Sequence, residues 1–453
     1  MGWPGRRVGV LVGLVGLVGA PLAALVLTAT PAGAVGPGCQ AGNIEVTTNT
    51  DAALRAAFTT ANTAASGPST ICIDSGLGTI TLLGGTELAY TQATTPGLTV
   101  LGNGITISGN NASRVIDNNT PGPLTLNGVT ITGGNAPVAG GGVFSLGVVT
   151  LTNSTISGNT AATGGGGVAA GTVTLTNSTI SGNTASAGGG GGIDANGAVT
   201  VTNSTVSGNH SSGDGGGIDL GGTSQTITLT DSTVSGNTAG GDGGGTNSGA
   251  GSGAAPSRAV LIRSTVSGNT ATGDGGGVDA NSVTATNSTI TGNTAAQSGG
   301  IRAADTTLVY TTVVQNTAPS GANVDSTTLT SFGSVVALPL GGGANCTGTT
   351  TSKGFNFSDD ASCGFTAATD KQNAGDPKLG ALANNGGPTQ TRLPQSGSPL
   401  IDAIPLASCQ ADGASGITTD QRSLARPSGP GCDIGAVEVQ AAAPVVITPK
   451  FTG

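Results

Sequence analysis

The chain has 453 residues, a formal net charge of −9, 83 Gly, 8% charged and 2% aromatic residues. An ordinary globular domain is roughly a quarter charged, so a charged, disordered tail protein is excluded. The acidic balance leaves no basic face for phosphates, which excludes a nucleic-acid binder, and glycine lacks the every-third-residue period of collagen.

Arg6 and Arg7 open the chain, Val8 to Leu27 is an apolar run, and Ala32-Gly33-Ala34 has the small-x-small form of a cleavage site. A membrane-spanning anchor is the competing reading, but Gly13, Gly16, Gly19 and Pro21 weaken such a helix. We expect a signal peptide over 1–34 and a secreted or cell-surface product after cleavage near Ala34. Its removal takes away two positive charges and no acid, moving the net charge from −9 to −11. Residues 35–97 then form an N-terminal cap and the first coils. Within them Asp51 to Ala61 predicts a short helix with Leu54, Phe58 and Ala61 on one face.

From Leu98 the chain repeats. One unit reads Val149-Thr-Leu-Thr-Asn-Ser-Thr-Ile-Ser-Gly-Asn159, then a Gly-rich run and a short apolar stretch at Val168. The same apolar position recurs at Ile107, Ile131, Ile156, Ile180, Val206, Val234, Val266, Ile290 and Val313. The spacings are 24, 25, 24, 26, 28, 32, 24 and 23, and such a period signals a solenoid. Val149 and Leu151 alternate with Thr150 and Thr152, the two-residue rhythm of a strand. Thr, Val and Ile favour strands, whereas Gly and Asn suit corners with positive φ. The fold class predicted is therefore all-β: a parallel β-helix over 98–340, roughly eleven coils stacked at about 4.8 Å. Each coil is expected to hold three strands, Val149–Thr152, Thr155–Ser157 and one around Val168. The usual chirality of parallel crossovers makes it right-handed. The longest interval carries a loop from Gly243 to Ser257.

Asn110, Asn135, Asn159, Asn183, Asn209, Asn237, Asn269, Asn293 and Asn316 form one column, which predicts a ladder of amide hydrogen bonds. A second column runs Gly128, Asn153, Asn177, Asn203, Asp231, Arg263, Asn287, Tyr310. Asn-Ser-Thr at Asn153, Asn177, Asn203 and Asn287 also reads as a glycosylation acceptor, but recurrence at the repeat period favours a corner. Asp231 and Arg263 are expected one above the other as an ion pair.

None of the six cysteines lies inside the repeat. In an exported chain their clustering predicts the disulfides Cys39–Cys72, Cys346–Cys363 and Cys409–Cys432. A zinc site is the rival, without a CxxC pair and with His210 as the only histidine. The far end of the stack is expected to be covered by a C-terminal cap over 341–440, followed by a tail over 441–453.

The Asn-Ser-Thr-Ile-Ser-Gly-Asn-Thr-Ala coils with Gly-Gly-Gly-Val/Ile runs resemble secreted right-handed parallel β-helix proteins, including polymorphic outer membrane protein repeats. Ala53-Leu54-Arg55-Ala56-Ala57 is similar to the cap segment that often precedes them. Asp376-Pro-Lys-Leu379, Asn384-Asn-Gly-Gly-Pro388, Gly397-Ser-Pro-Leu-Ile-Asp-Ala403, Asp420-Gln-Arg422 and Cys432-Asp-Ile-Gly-Ala-Val-Glu438 resemble a choice-of-anchor Q domain. Together these likenesses cover about residues 44 to 440 and imply a fold and a surface location, not an activity.

The β-helix fold also hosts polysaccharide lyases and hydrolases, so acids matter. One column holds Asp194, Asp219, Asn247 and Asp279; another, across the Gly run, holds Asp214, Asp242 and Asp274. Bases are scarce: Leu98 to Thr330 contains no Lys and only Arg114, Arg258, Arg263 and Arg302. Phe144 is the one aromatic between Leu98 and Val309. No catalytic residue is assigned. Asp214, Asp219, Asp242, Asp274 and Asp279 are the candidate oxygen ligands for a Ca²⁺ ion, with solubilising surface charge as the alternative we adopt. The sequence thus predicts a structural or adhesive rod meeting extracellular polysaccharide or cell-surface partners. The alternatives are a polysaccharide-active enzyme and an ice- or polymer-binding face built from Thr150/Thr152, Thr174/Thr176, Thr200/Thr202 and Thr228/Thr230.

Overall fold

The computed structural model describes residues 39–64, 67–92, 96–222, 224–249 and 257–440. The expected signal peptide, its cleavage site, residues 250–256 of the expected loop and the tail over 441–453 lie outside the described residues.

The chain is a parallel β-solenoid of about 12 turns. The repeat aligns on itself: Val173 pairs with Val149 and Val199, and Ile156 with Ile131 and Ile180. Alternation sets which side chains point inward. Ile107, Ile131, Ile156, Ile180, Val206, Val234, Val266, Ile290 and Val313 are all 0% exposed and stack into one continuous core. The outward partners are Thr and Ser. Thr125, Thr150, Thr174, Thr200 and Thr228 stand in register, and Val260 interrupts them before Thr284. Each regular coil has four ladders rather than the expected three. The extra one is a two-residue strand such as Thr160–Ala161, whose small inward Ala fits where the coil is narrow.

Two corners are in the left-handed region. The position after Thr152 runs Gly128, Asn153, Asn177, Asn203, Asp231, Arg263, Asn287, Tyr310, with φ between 47° and 65°. Asn tolerates that conformation through its short polar side chain. Asp231 and Arg263 hold it with a bidentate pair: Nε and Nη2 of Arg263 donate to Oδ1 and Oδ2 of Asp231, both at 2.7 Å.

One corner later, amides stack inside the coil. Nδ2 of Asn159 donates to Oδ1 of Asn183 at 2.9 Å, and the contact repeats through Asn209, Asn237, Asn269, Asn293 and Asn316. Each Nδ2 also donates to a strand carbonyl of the preceding coil, as Asn237 does to Val206. The ladder continues beyond the expected column into Asn323 and Asn345 and ends on Asp359. Asn110 and Asn135 do not join it. Asn110 is exposed at φ 56°. Asn135 pairs with Thr160, and Gly134 takes the position that Asn159 holds in the next coil.

A helix, Asp51–Thr63, covers the N-terminal end. The Thr50 hydroxyl accepts from Ala53 N, and Leu54, Ala57, Phe58 and Ala61 are buried. Arg55 ties it to the coil beneath through the carbonyls of Thr86 and Glu87, at 2.7 and 3.0 Å. The three disulfides are Cys39–Cys72, Cys346–Cys363 and Cys409–Cys432, with Cα separations of 5.8, 4.7 and 5.8 Å.

The C-terminal region divides in two. Residues 346–374 cover the far end, where Cys363 and Phe365 complete the main core. Residues 379–438 return along the side of the last coils as an arm. Leu400, Ile404, Cys432 and Ile434 pack on Val309, Val314, Phe332 and Val335 in a second core. Those outward positions are Thr or Ser in earlier coils and turn apolar where the arm covers them. Gln421 is 0% exposed and threads into the coil face: its Nδ-equivalent amide nitrogen, Nε2, donates to Thr265 and Thr389 at 2.9 Å, and its Oε1 accepts from Thr289 at 2.6 Å.

Candidate functional site

The acidic flank is built by register. Asp194 pairs with Asp219, Asp219 with Asn247, Asn247 with Asp279, Asp279 with Arg302 and Arg302 with Asp325. These side chains point outward over the Gly-rich turn of the preceding coil. Glycine gives them room in two of these coils: a Cβ on Gly164 would lie 1.9 Å from Oδ2 of Asp194, and one on Gly189 equally close to Oδ2 of Asp219. The second column, Asp214, Asp242 and Asp274, occupies that turn in the next coils. Asp242 N donates to Asp214 Oδ1 and Asp274 N to Asp242 Oδ1, both at 2.8 Å.

The two columns therefore face each other, and the residue types adjust. Asn247 faces Asp214 as an amide, and its Nδ2 donates to Oδ1 of Asp219 at 2.7 Å. Asp242, Asp274 and Asp279 converge on one guanidinium. Nη1 of Arg302 lies 3.1, 3.4 and 3.1 Å from their Oδ2 atoms. Of the five acids considered as Ca²⁺ ligands, the structure thus gathers three around Arg302 and leaves Asp214 and Asp219 on the neighbouring coils. Among the described residues no group of three or more His, Cys, Asp or Glu is placed to hold a metal ion. His210 is exposed and in register with Thr184 and Thr238.

Burial pushes the Asp219 carboxyl up to about 7; the Asn247 hydrogen bond opposes the rise, and the charges of Asp194 and Asp214 add to it. Burial likewise pushes Asp279 up to about 7 against the pull of Arg302, with Asp242 and Asp274 adding to the rise. Asp194 is raised by burial alone. A carboxyl raised in the folded state binds its proton more tightly there than in the unfolded chain. Its stabilising share is full below its unfolded value near 3.8 and is lost as pH rises to about 7. The melting temperature is therefore expected to fall by several degrees between about pH 5 and about pH 8. Asp279→Asn should flatten that slope; an unchanged slope in thermal scans would contradict the assignment.

Sequence reasoning missed the charge at the other end of the flank. Nη1 of Arg114 contacts Oδ1 of Asp117 at 3.0 Å, and its guanidinium lies 5.0 Å from the centre of the Phe144 ring. Asp117 and Phe144 belong to the same outward column, a signal hidden because those coils lack the regular Asn-Ser-Thr unit. The tail motifs serve structure. Asp420 and Arg422 pair at 2.7 Å, Arg426 and Glu438 at 3.3 Å, and the fully buried Arg426 lies 4.0 Å from the Tyr310 ring centre.

Among the described residues no helix is long and apolar enough to cross a membrane. No family model and no curated protein matches the chain. Among solved structures it is similar to the crystal structure of pectate lyase Pel9A, at 16% sequence identity and a TM-score of 0.41, over 84% of this chain and 90% of that one.

Proposed function

We propose that the chain is a structural or adhesive rod, secreted or displayed on a cell surface, and that its acidic flank is a component of the rod rather than a cleavage site. Arg302 carries this reading. It stands where Asp242, Asp274 and Asp279 converge and supplies the positive charge there. Asp219 is engaged by Asn247, and Asp214 by the next coil's backbone. The acids follow the coil period, as structural residues do, whereas a catalytic acid–base pair belongs to one place. Three disulfides fit an oxidising compartment, as do the export signal read at residues 1–34 and the choice-of-anchor Q likeness of the tail.

The test is product release from a panel of neutral, amino and acidic polysaccharides. Reducing ends report hydrolysis, and ultraviolet absorbance of unsaturated products reports elimination. The wild type is expected to release no more than an Asp219→Asn/Asp279→Asn variant. Release by the wild type that this variant loses would instead make the flank a polysaccharide-cleaving site.

A further inference from the structure

Between the Arg114–Phe144 pair and Asp194 the flank holds a cleft of about 150 Å³. Register creates it. Phe144, Ala169 and Asp194 follow one another on three coils. The small Ala169 leaves a notch between a ring and a carboxylate two coil steps, about 10 Å, apart. In the turn beneath it, Ala139 stands where later coils have Gly164 and Gly189.

The two ends of the notch differ in chemistry. Arg114 fixes the ring end, donating to the carbonyls of Ala139 and Gly140 while lying over Phe144. Leu146, 54% exposed, extends the apolar wall. At the other end Asp194 has no hydrogen-bond or ion-pair partner among the described residues, and burial alone raises its pKa. Asn196 lies beside it with its amide exposed.

An aromatic wall facing hydrogen-bonding groups suits a pyranose ring, which has an apolar face and a polar rim. The volume is below the roughly 300–1,000 Å³ of pockets that engulf a drug-sized ligand; it accommodates one ring of a longer chain. Charge selects among sugars. Asp194, Asp214 and Asp219 repel an acidic ring, whereas a protonated amine supplies the counter-charge Asp194 lacks. We propose that this cleft is a subsite for an amine-bearing hexosamine residue of a glycan. The proposal adds a ligand to the rod and does not depend on whether the flank cleaves anything.

The experiment is calorimetric titration at neutral pH with a glucosamine tetrasaccharide, its N-acetylated counterpart and a galacturonate tetrasaccharide. The glucosamine oligomer is expected to bind, the N-acetylated one more weakly, and the galacturonate not at all. Phe144→Ala removes the wall and Ala169→Leu fills the notch; each should weaken binding at least about tenfold. Asp194→Asn keeps the shape and should erase the preference for the free amine. Melting curves identify any variant that does not fold, and the near-isosteric Asp194→Asn then decides. Absence of binding, equal affinity for all three sugars, or undiminished affinity in the folded variants would overturn the proposal. The last outcome marks general attraction of a cation to an acidic rod.

Discussion

Replacing Arg426 by Met is expected to destabilise the C-terminal arm by about 3–5 kcal/mol, the usual cost of leaving one member of a buried ion pair without its partner. Arg426 is 2% exposed, and Glu438 is 1% exposed. Burial pushes the Glu438 carboxyl up to about 7 while Arg426 pulls it down; without the guanidinium that restraint is gone. The carboxylate also accepts from the backbone of Ser428 and Asp433, so its protonation loosens the turn carrying both. The Tyr310 ring loses the cation above it, and with it a packing partner that anchors the arm to the coil. Limited proteolysis should cut the variant within residues 379–438 while the coils persist. Changing both partners to apolar residues, Arg426→Met with Glu438→Leu, should restore much of the loss. A variant as stable and protease-resistant as the wild type would show that the arm is held by its apolar core alone.

Asn237→Ala should cost about 3 kcal/mol or more. Asn237 sits in the middle of the buried ladder. Its Oδ1 accepts from both the N and the Nδ2 of Asn209, and its Nδ2 donates to Oδ1 of Asn269 and to Val206 O. Removal leaves donors and acceptors stranded on two neighbouring coils, where water has little access. Asn177→Ala provides the contrast. Asn177 is exposed and shares single side-chain bonds with Asn153 and Asn203, so its replacement should cost about 1 kcal/mol, mostly the left-handed backbone. Denaturant titrations of both variants measure the difference. Equal losses would mean that the amides matter for corner conformation and not for the ladder.

The coil was legible because two periods agree: side chains alternate every two residues, and the whole pattern returns after about one turn of chain. Disulfide pairing was legible because the repeat separates the cysteines into neighbouring groups. The stacking of Asp231 on Arg263 followed from alignment alone, although the two are 32 positions apart. Alignment failed where a coil departs from the pattern. Gly134 holds the column position, three residues after Ile131, and Asn135 falls one residue beyond it, in register with Thr160. Asn323 continues the ladder only 7 residues after Asn316, because the chain there returns to the same corner from the other side, which no repeat spacing reveals. The arm was read as an end cap, since its sequence carries no period to say which face it covers. The outward change from Thr and Ser to Val309, Val314, Phe332 and Val335 was the available signal. Arg302 was visible as a scarce base; its role depends on three acids that converge only when the coils stack.

Calcium titration of the protein, followed by calorimetry and thermal melting, addresses the acidic flank most directly. With Arg302 seated among Asp242, Asp274 and Asp279, the wild type is expected to give no saturable heat and an unchanged melting temperature at millimolar calcium. Saturable heat with a raised melting temperature would mean that an ion displaces the guanidinium, and the flank would then be an ion site rather than a neutralised part of the rod.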